Sequence, residues 1–293
     1  MNTHKKILGI RRLSLSWIFT IACYYGLRLF GVIYKEGETR LKFYLHLIQC
    51  NGRIISHNAK YITCKYTVLE KDVIIHLRNF PSSDPRVFEQ IFVNQQYKRI
   101  AELLTARGER LTMVDGGANI GLASVYFKLF FNDLKVIAIE PDQDNFKLLK
   151  RNFESNRIST KGCLNMALWG RAVMLATRLD FRDGKSWSVS VEESNKSDAV
   201  LWGVTLQELF HKYKLETLDL LKVDIEGSEK YLFGNAVDVQ DILKKIRCVV
   251  MEIHDEVVDR HAIEQQLLDA GGTVTQDGEL TISLNNKIFH YGG

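Results

Sequence analysis

VDGGANIG, residues 114–121, is the stretch that decides the fold of this chain, because a short apolar strand here breaks into a glycine-rich turn. The strand is Leu111–Val114, and Asp115 stands at its carboxyl end. Residues 120–131 then have the spacing of a helix whose apolar face packs on a sheet. Three glycines let the backbone bend sharply and approach a ligand: Gly116, Gly117 and Gly121. The pattern predicts a turn that binds a nucleotide-like cofactor, with Asn119 among the contacting residues.

A second acid follows the next predicted strand. Residues 135–139 form that strand, and Glu140-Pro141 comes directly after it. The two hydroxyls of a ribose need paired acceptors, which an acid at this position of a Rossmann-like fold supplies. Glu140 is therefore predicted to bind the ribose of the cofactor.

The glycine spacing alone also fits a nicotinamide dinucleotide site, since it has the form Gly-x-Ala-x-x-Gly. Such a loop brings backbone amides to a pyrophosphate, and the carboxylate of Asp115 at its first position would disturb that contact. An acid there suits a cationic ligand without phosphates, such as S-adenosylmethionine. A Tyr-x-x-x-Lys pair, Tyr61 and Lys65, lies upstream of the turn instead of after it, so an oxidoreductase is the weaker alternative.

Four ordered motifs resemble one known family. They are VDGGANIG, IEPDQDNFKLLKRN at 139–152, LDLLKVDIEGSE at 218–229 and VVMEIH at 249–254. In this order and spacing they resemble the FkbM-type S-adenosylmethionine-dependent methyltransferases, and residues 81–97 are similar to the segment before that family's first Rossmann strand. The resemblance implies a class I methyltransferase fold and, commonly, methylation of a hydroxyl on a sugar or a natural product. It does not identify the acceptor.

Composition narrows the class of protein further. The 293 residues are 46% hydrophobic, enough for one large core, and the net charge of +4 is too small to indicate nucleic-acid binding. The five cysteines are scattered and form no Cys-x-x-Cys pair, which favours buried thiols in a reducing compartment. We expect a cytoplasmic protein, with residues 1–78 as an N-terminal helix and β extension and residues 79–293 as the methyltransferase domain.

The first 34 residues leave two interpretations open. They carry five basic residues and no acid beside an apolar run, Leu13–Tyr25. The run is shorter than the roughly 20 residues that span a bilayer, and a longer one would bury Arg28. Residues 22–25 are also a poor cleavage site for a signal peptide. The segment is predicted either as a helix packed on the catalytic domain as a lid, or as a helix lying on an anionic membrane surface.

Periodicity along the chain predicts alternating strands and helices, which demand a mostly parallel sheet flanked by helices. A hairpin of residues 61–68 and 73–77 and a helix over 86–104 come before this alternation. Predicted strands are 111–115, 135–140, 160–166, 217–223, 247–253, 273–275 and 280–284, and predicted helices are 120–131, 142–156, 228–246 and 260–270. Residues 171–200 interrupt the pattern as an expected substrate loop, where Trp187, like Trp202 after it, lines the acceptor pocket or belongs to the core.

The ligand crevice of an open α/β sheet lies beyond the carboxyl ends of its strands, so this rim should gather four residues: Asp115, Glu140, Asp224 and His254. Asp224 ends the fourth parallel strand and is expected to position the methyl donor or the acceptor. An alcohol is a poor nucleophile until its proton is accepted, and His254 is predicted as that base. Asp224 is the competing base, and a structural role is the alternative for His254.

Three further expectations concern the neighbours of these residues. Glu226 contacts the substrate or caps the following helix, and Lys222 pairs with a carboxylate instead of acting in catalysis. The acids and histidines from His254 to His261 have poor spacing for metal ligands, so a solvated helix start and no metal are expected.

These residues and the family resemblance together predict O-methylation of a small-molecule or glycan hydroxyl, with a sugar or glycolipid-like acceptor ahead of a polyketide. A non-catalytic binding module on the same fold is the non-enzymatic alternative.

Overall fold

Two helices and a small antiparallel sheet precede the glycine-rich turn in the computed structural model, which describes residues 15–32, 35–106, 108–178, 190–193, 201–234 and 236–285. The helices are α1 (Leu15–Leu29) and α2 (Lys35–Gln49), and the strands are β1 (Arg53–His57), β2 (Tyr61–Val68) and β3 (Lys71–Arg78). Strands β2 and β3 pair along their whole length, which confirms the predicted hairpin. Strand β1, which the sequence pattern did not predict, pairs antiparallel with β2.

Helix α2 is also an addition to the sequence-based prediction. Its inner face buries Phe43 and Leu47, which are four residues apart, and Glu38 pairs with Lys42 at 3.1 Å on its surface. Both spacings are helical. Gly37 in the first turn and the mixture of aromatic and polar residues obscured this periodicity.

The predicted helix over 86–104 is interrupted. It consists of α3 (Asp84–Phe88), a π-helical turn (Glu89–Val93) and α4 (Lys98–Thr105). Gln95 between the last two has a φ of 54°, which no continuous helix accepts. Phe88 and Phe92 pack with ring centroids 5.4 and 5.0 Å from that of Tyr66. The apolar spacing that predicted one helix therefore reflects a packed face that continues across the break.

The remaining predicted strands and helices are present, with two corrections. The expected substrate loop over 171–200 contains two strands of a second sheet, and the predicted helix over 228–246 is divided into two helices. Strands are β4 (Arg110–Gly116), β5 (Asp133–Ile139), β6 (Cys163–Leu164), β7 (Ala167–Leu168), β8 (Met174–Arg178), β9 (Ser190–Glu193), β10 (Leu201–Val204), β11 (Leu218–Val223), β12 (Ile246–Glu252), β13 (Thr273–Asp277) and β14 (Leu280–Leu284). Helices are α5 (Leu122–Lys128), α6 (Gln143–Ser155), α7 (Leu206–Tyr213), α8 (Glu229–Leu232), α9 (Ala236–Leu243) and α10 (Arg260–Asp269). Asp142 caps α6 by accepting from two backbone N–H groups, and Thr205 opens α7 with a capping box.

A seven-stranded sheet in the order β13-β14-β12-β11-β4-β5-β6 forms the centre of the protein. Strands β12, β11, β4, β5 and β6 are parallel, and β14 runs antiparallel between β12 and β13. The predicted mostly parallel α/β sheet is confirmed. The strand predicted at 160–166 is shorter, because the chain leaves β6 and joins a second, four-stranded sheet through β7. All parallel strands of the large sheet therefore end at one rim.

Hydrophobic clusters cover both faces of the large sheet. One includes buried residues of α7, α9 and α10. The other includes residues of α5 and α6 and extends into the N-terminal elements through Tyr66, Phe43 and Trp17. Asn152 of α6 accepts from the His76 N–H at 2.7 Å, which joins β3 to this helix. The described residues before position 79 thus share a core with the large sheet and its helices. The predicted boundary after residue 78 stays a prediction about sequence organisation.

Helix α1 has one packed face and one exposed face. Trp17 is fully buried, with its ring centroid 5.7 Å from that of Phe80. Large apolar side chains on the other face are open to solvent, including Leu15, Phe19 and Leu29. Among the described residues, no helix combines the length and the apolar character that crossing a membrane requires.

Candidate active site

The glycine-rich turn lies at the carboxyl end of β4. Gly117 and Asn119 have positive φ angles of 68° and 51°. A Cβ at Gly117 would lie 1.7 Å from the backbone carbonyl oxygen of Asp224, so only glycine fits there. The N–H groups of Gly117 and Ala118 both donate to the carbonyl oxygen of Ile139 at 3.0 Å. The turn therefore joins the ends of β4 and β5 to the segment that follows β11.

Glu140 lines a cavity of about 280 Å³ at this rim. Its carboxylate accepts from the Asn119 N–H at 2.7 Å, the Asp142 N–H at 3.0 Å and the Asn145 side-chain amide at 3.1 Å. Burial outweighs these hydrogen bonds and raises the pKa of Glu140 to about 7. A carboxylate has about four acceptor sites, so these three donors orient it and leave about one site for a further donor such as a ribose hydroxyl.

Asp115 does not reach this cavity, although the sequence analysis predicted direct contact with a cationic cofactor. Its side chain is fully buried beneath the turn. Oδ2 accepts from the Ser124 hydroxyl at 2.6 Å, and Oδ1 lies 3.2 Å from Lys222 Nζ. A buried carboxylate needs compensating partners, and here the protein itself supplies them. The predicted contact is corrected accordingly: Asp115 anchors Lys222 beneath the turn.

Lys222 connects the turn to the end of β11. Its Nζ donates to the Gly117 carbonyl at 2.8 Å and lies 3.5 Å from Asp224 Oδ2, in addition to its contact with Asp115. Burial opposes its charge, but the charges of Asp115 and Asp224 outweigh burial and raise the pKa of Lys222. The prediction that Lys222 pairs with a carboxylate is confirmed, and the ammonium group stays charged.

Several acids surround one buried histidine near the ends of β11 and β12. We refer to them as the acidic cluster: Asp224, Glu226, Glu229, Glu252 and His254. Three of its members line the cavity, namely Asp224, Glu226 and Glu252. Nδ1 of His254 lies 2.8 Å from Oε1 of the fully buried Glu229. Nε2 of His254 lies 3.6 Å from Glu226 Oε2 and 3.8 Å from Glu252 Oε1.

His254 is buried and does not itself line the cavity. Burial lowers the pKa of His254, but the hydrogen bond and charge of Glu229, together with Glu226 and Asp224, outweigh burial and raise this pKa to about 9. The surroundings therefore stabilise the protonated imidazole, whereas the predicted base requires the neutral form. Asp224 is the more accessible of the two predicted bases, because its side chain is 35% exposed.

Two roles are predicted for Glu226, contact with the substrate and capping of the following helix, and its position in the structure favours the first. Helix α8 has Ser228 at its N-cap position, without a side-chain capping hydrogen bond. Glu226 instead lines the cavity and has a φ of 50°, a conformation that costs energy for a residue with a Cβ. Gly227 follows with a φ of 83°. This pair turns the chain from the end of β11 towards α8 and leaves the Glu226 side chain at the rim.

The other glycines of the turn serve packing. A Cβ at Gly116 would lie 2.6 Å from the Leu168 side chain, and one at Gly121 would lie 2.9 Å from the ring of Phe153. Neither glycine lines the cavity, so their predicted contact with the cofactor is corrected to close packing of strand and helix around the turn. Their small size is what the fold requires here.

The remaining predictions have mixed outcomes. Trp187 lies outside the described residues, and Trp202 is 54% exposed and does not line the cavity. Asp259 caps α10 by accepting from two backbone N–H groups, which confirms the predicted helix start. The side chain of His254 lies near Asp224 and Glu226, and the spacing of these residues in the sequence did not predict this proximity.

Glu229 and Glu252 were missed by the sequence analysis. Glu252 is two residues before His254, and residues two apart on a strand lie on the same face, so this signal was present in the sequence. Glu229 is the first residue of α8, and Glu226 precedes this helix with a φ of 50°, so no regular spacing in the sequence relates the two. Their convergence on His254 depends on the pairing of β11 with β12.

Fold and site together define a class I methyltransferase. A glycine-rich turn follows one central strand of the parallel sheet, the buried Glu140 follows its neighbour, and the acidic cluster follows the strands on the other side. Glu140 retains an acceptor site for a ribose hydroxyl, and Gly117 allows close backbone approach. The carboxylates along the cavity suit a ligand with cationic ammonium and sulfonium groups. The residues present therefore fit S-adenosylmethionine.

Comparison with known proteins gives the family. The sequence profile of the Methyltransferase FkbM domain matches residues 115–273, more than half of the chain, and the chain belongs to this family of S-adenosylmethionine-dependent methyltransferases. Methyltransferase sdnD from Sordaria araneosa is 28% identical over 221 residues, which cover 65% of this chain and 83% of sdnD.

Two solved methyltransferase structures are similar to this chain at low sequence identity. The METTL16 MTase domain is 13% identical, covers 85% of this chain and 78% of its own, and has a TM-score of 0.44. The precorrin-6y C5,15-methyltransferase from Geobacter metallireducens GS-15 is 12% identical, covers 65% of this chain and 88% of its own, and has a TM-score of 0.37.

Proposed function

We propose that this enzyme methylates a hydroxyl oxygen on a sugar, a glycan or another natural product. The observation that carries the proposal is the row of carboxylates that line the cavity at Asp224, Glu226 and Glu252. Carboxylates accept hydrogen bonds from alcohol hydroxyls and can take up the proton that an alcohol must lose. A sugar presents several hydroxyls to several acceptors, so we rank it ahead of a polyketide alcohol.

The chain's own residues orient the acceptor and receive its proton. The bound donor supplies an electrophilic methyl carbon on a sulfonium. As the acceptor oxygen bonds to this carbon, the carbon–sulfur bond breaks, its electron pair stays on sulfur, and the hydroxyl proton passes to Asp224. Lys222, 3.5 Å from Asp224 Oδ2, holds that carboxylate in place. Alignment of the reacting atoms and exclusion of water supply the rest of the rate enhancement.

The test uses S-adenosylmethionine labelled in its methyl group and a panel of acceptors. The panel comprises a sugar nucleotide, a lipid-linked sugar, a polyketide alcohol and an amine. We expect a base-stable O-methyl ether on a hydroxyl acceptor, identified by mass spectrometry. Label found only on nitrogen or carbon would refute O-methylation and leave the donor assignment intact.

Asp224→Asn tests the proton acceptor. Under single turnover, methyl transfer should fall by about a hundredfold to ten-thousandfold, the usual contribution of general base catalysis. Calorimetry with the donor separates this loss from a loss of donor binding. Asp241→Asn, at a side chain that is 75% exposed on α9, is the matched control and should retain the wild-type rate. Full activity of Asp224→Asn would contradict its assigned role.

We propose in addition that α1 binds peripherally to an anionic membrane surface, where a glycolipid-like acceptor would lie. Leu15, Phe19 and Leu29 on its outer face are each more than 70% exposed. The residues before the helix include four basic residues and no acid, a combination typical of helices that lie in the interface. The described cysteines are free thiols, which supports a reducing compartment such as the cytoplasm.

Vesicle co-sedimentation tests this contact. The protein should sediment with vesicles that contain phosphatidylglycerol and much less with vesicles of phosphatidylcholine alone. Phe19→Ser should reduce sedimentation, whereas Leu103→Ser, at an exposed apolar position on α4, should not. Equal recovery with both vesicle types would refute an electrostatic membrane contact.

A further inference from the structure

We infer that Asp224, Glu226 and His254 form a binding site for one divalent metal ion with the ligand preferences of Mn²⁺. Each residue offers one ligand atom, and these atoms lie within 4.8 Å of one another. Two carboxylate oxygens and one imidazole nitrogen form a mixed oxygen and nitrogen donor set, which suits ions of this type. The inference goes beyond methyl transfer, because it assigns a second bound species to the cavity.

The orientation of His254 is that of a metal ligand. Histidines that bind metals usually donate the other ring N–H to a carboxylate, which fixes the tautomer and the ring plane. Glu229, fully buried at the first position of α8, occupies this place 2.8 Å from Nδ1. The Nε2 atom therefore faces Glu226, 3.6 Å away.

The distances match an ion held between these side chains. Adjacent ligand atoms around an ion with bonds of about 2.1 Å are roughly 3 Å apart. The separation of 3.6 Å between His254 Nε2 and Glu226 Oε2 can reach this value by a small side-chain movement. Asp224 and Glu226 both line the cavity, so an ion between them can be reached from it and keeps positions for water or an acceptor oxygen.

The charges around the site also favour a dication. Four carboxylates belong to the acidic cluster, and in the absence of an ion two cationic side chains contact them, Lys222 and the protonated His254. The ion would bind His254 as the neutral imidazole, so Nε2 would release its proton to solvent when the ion binds. Lys222 is shared with a further carboxylate, Asp115. A bound dication would offset the excess of negative charge that this part of the cavity gathers.

An ion at this place would act on the acceptor, a consequence that rests on the proposed function. A hydroxyl bound to a divalent ion has a lower pKa and loses its proton more readily. The proton still passes to Asp224, through the carboxylate oxygen that the ion does not use. Metal and carboxylate would then share the activation of the alcohol.

The experiment uses the full chain, stripped with a chelator and titrated with Mn²⁺ alone, with neither donor nor acceptor present. Electron paramagnetic resonance measures the loss of free Mn²⁺ and should give one bound ion per chain. Nitrogen modulation of the bound Mn²⁺ signal should reveal the imidazole ligand. Absence of saturable binding up to about millimolar Mn²⁺, the weak end for protein cation sites, or binding without nitrogen modulation, would overturn the proposal.

Variants locate the ion. Glu226→Gln should weaken Mn²⁺ binding at least about tenfold, and His254→Ala should remove the nitrogen modulation. Glu216→Gln, the same change at an exposed glutamate, should leave binding unchanged. Glu229→Gln should weaken binding about 10- to 100-fold and retain the nitrogen signal, since it alters only the partner of the ligand. Circular dichroism checks the fold of each variant, and unchanged affinity in Glu226→Gln would overturn the site.

The two proposals can fail separately. Mn²⁺ binding with nitrogen modulation, in an enzyme that methylates no hydroxyl, would refute the proposed function and leave the metal site standing. Hydroxyl methylation by a protein that binds no Mn²⁺ would refute the metal site and leave the function standing.

Discussion

Two groups of carboxylates share one cavity and are held in different ways. Glu140 is oriented by neutral N–H donors, and burial raises its pKa to about 7. In the acidic cluster, Asp224 lies 3.5 Å from Lys222 and Glu229 lies 2.8 Å from His254, so cationic partners offset part of the negative charge. The comparison shows how one residue type serves two purposes: a carboxylate held by neutral donors suits hydroxyl groups, and carboxylates balanced by cations suit charged species.

Removal of the buried cation should have the largest effect on this arrangement. Lys222→Met leaves Asp115 and Asp224 without their positive partner, which should lower the free energy of unfolding by about 3–5 kcal/mol. Urea denaturation measures this change. Lys65→Met is the control, because its ion pair with Asp72 is exposed to solvent and should contribute little. Equal stability of the two variants would show that the buried network is not required.

Gly117→Ala should disturb both groups at once, since this residue lies between Asn119, which binds Glu140, and the backbone of Asp224. The added Cβ has no room beside the Asp224 carbonyl, and overpacking of this kind costs about 1–3 kcal/mol. Donor affinity should fall with stability. The control is Gly278→Ala, which has a similar φ of 61° and open space around it, so it adds strain without a clash. Equal donor affinity in the two variants would show that the close approach of Gly117 to the Asp224 backbone is not needed for donor binding.

Glu140→Ala should weaken donor binding without affecting the acidic cluster. Affinity for S-adenosylmethionine, measured by calorimetry, should weaken by about 1–3 kcal/mol because ribose hydroxyls lose their acceptor. Mn²⁺ binding should not change, since the acidic cluster is intact. Glu154→Ala, at an exposed position on α6, serves as the control. Unchanged donor affinity in Glu140→Ala would show that Glu140 does not bind the donor. NAD should bind neither to the wild-type protein nor to these variants.

The pH dependence of donor affinity should give the smallest effect. Ribose hydroxyls donate to the ionised form of Glu140, whose pKa is about 7, so affinity should rise about tenfold from pH 6 to pH 8. Near neutral pH the folded protein holds a proton on Glu140 that the unfolded chain has already lost, because folding raises the pKa of this group. Without the donor, the free energy of unfolding should therefore fall as the pH rises towards and through 7. Glu140→Gln should remove the Glu140 contribution to both trends. A profile that is the same in this variant would assign the titration to another group.

Much of the fold and the cofactor half of the site follows from local chemistry. Gly117 and Asn119 adopt left-handed conformations. Glycine and asparagine favour such conformations, so the sequence predicts a tight turn here. Glu140 directly follows a parallel strand, and the carboxyl ends of such strands meet at one rim, so its place in the cavity was predictable. The hairpin of β2 and β3 was predictable for the same reason, because its strand pattern and turn are contained in one continuous stretch.

The pairing of the buried charges depends on contacts between residues that are far apart in the sequence. Asp115 is at a strand end, as predicted, yet its carboxylate contacts Lys222 from another strand, 3.2 Å away, instead of a ligand. His254 meets Glu229, a residue 25 positions earlier in the chain, because β11 and β12 are neighbours. Sequence periodicity tells which face of an element a side chain occupies, but the partner across that face depends on the order of strands and the packing of helices. Local sequence was enough to place the glycine-rich turn and the acids at the rim, and long-range packing then fixed which of those acids line the cavity and which contact other side chains.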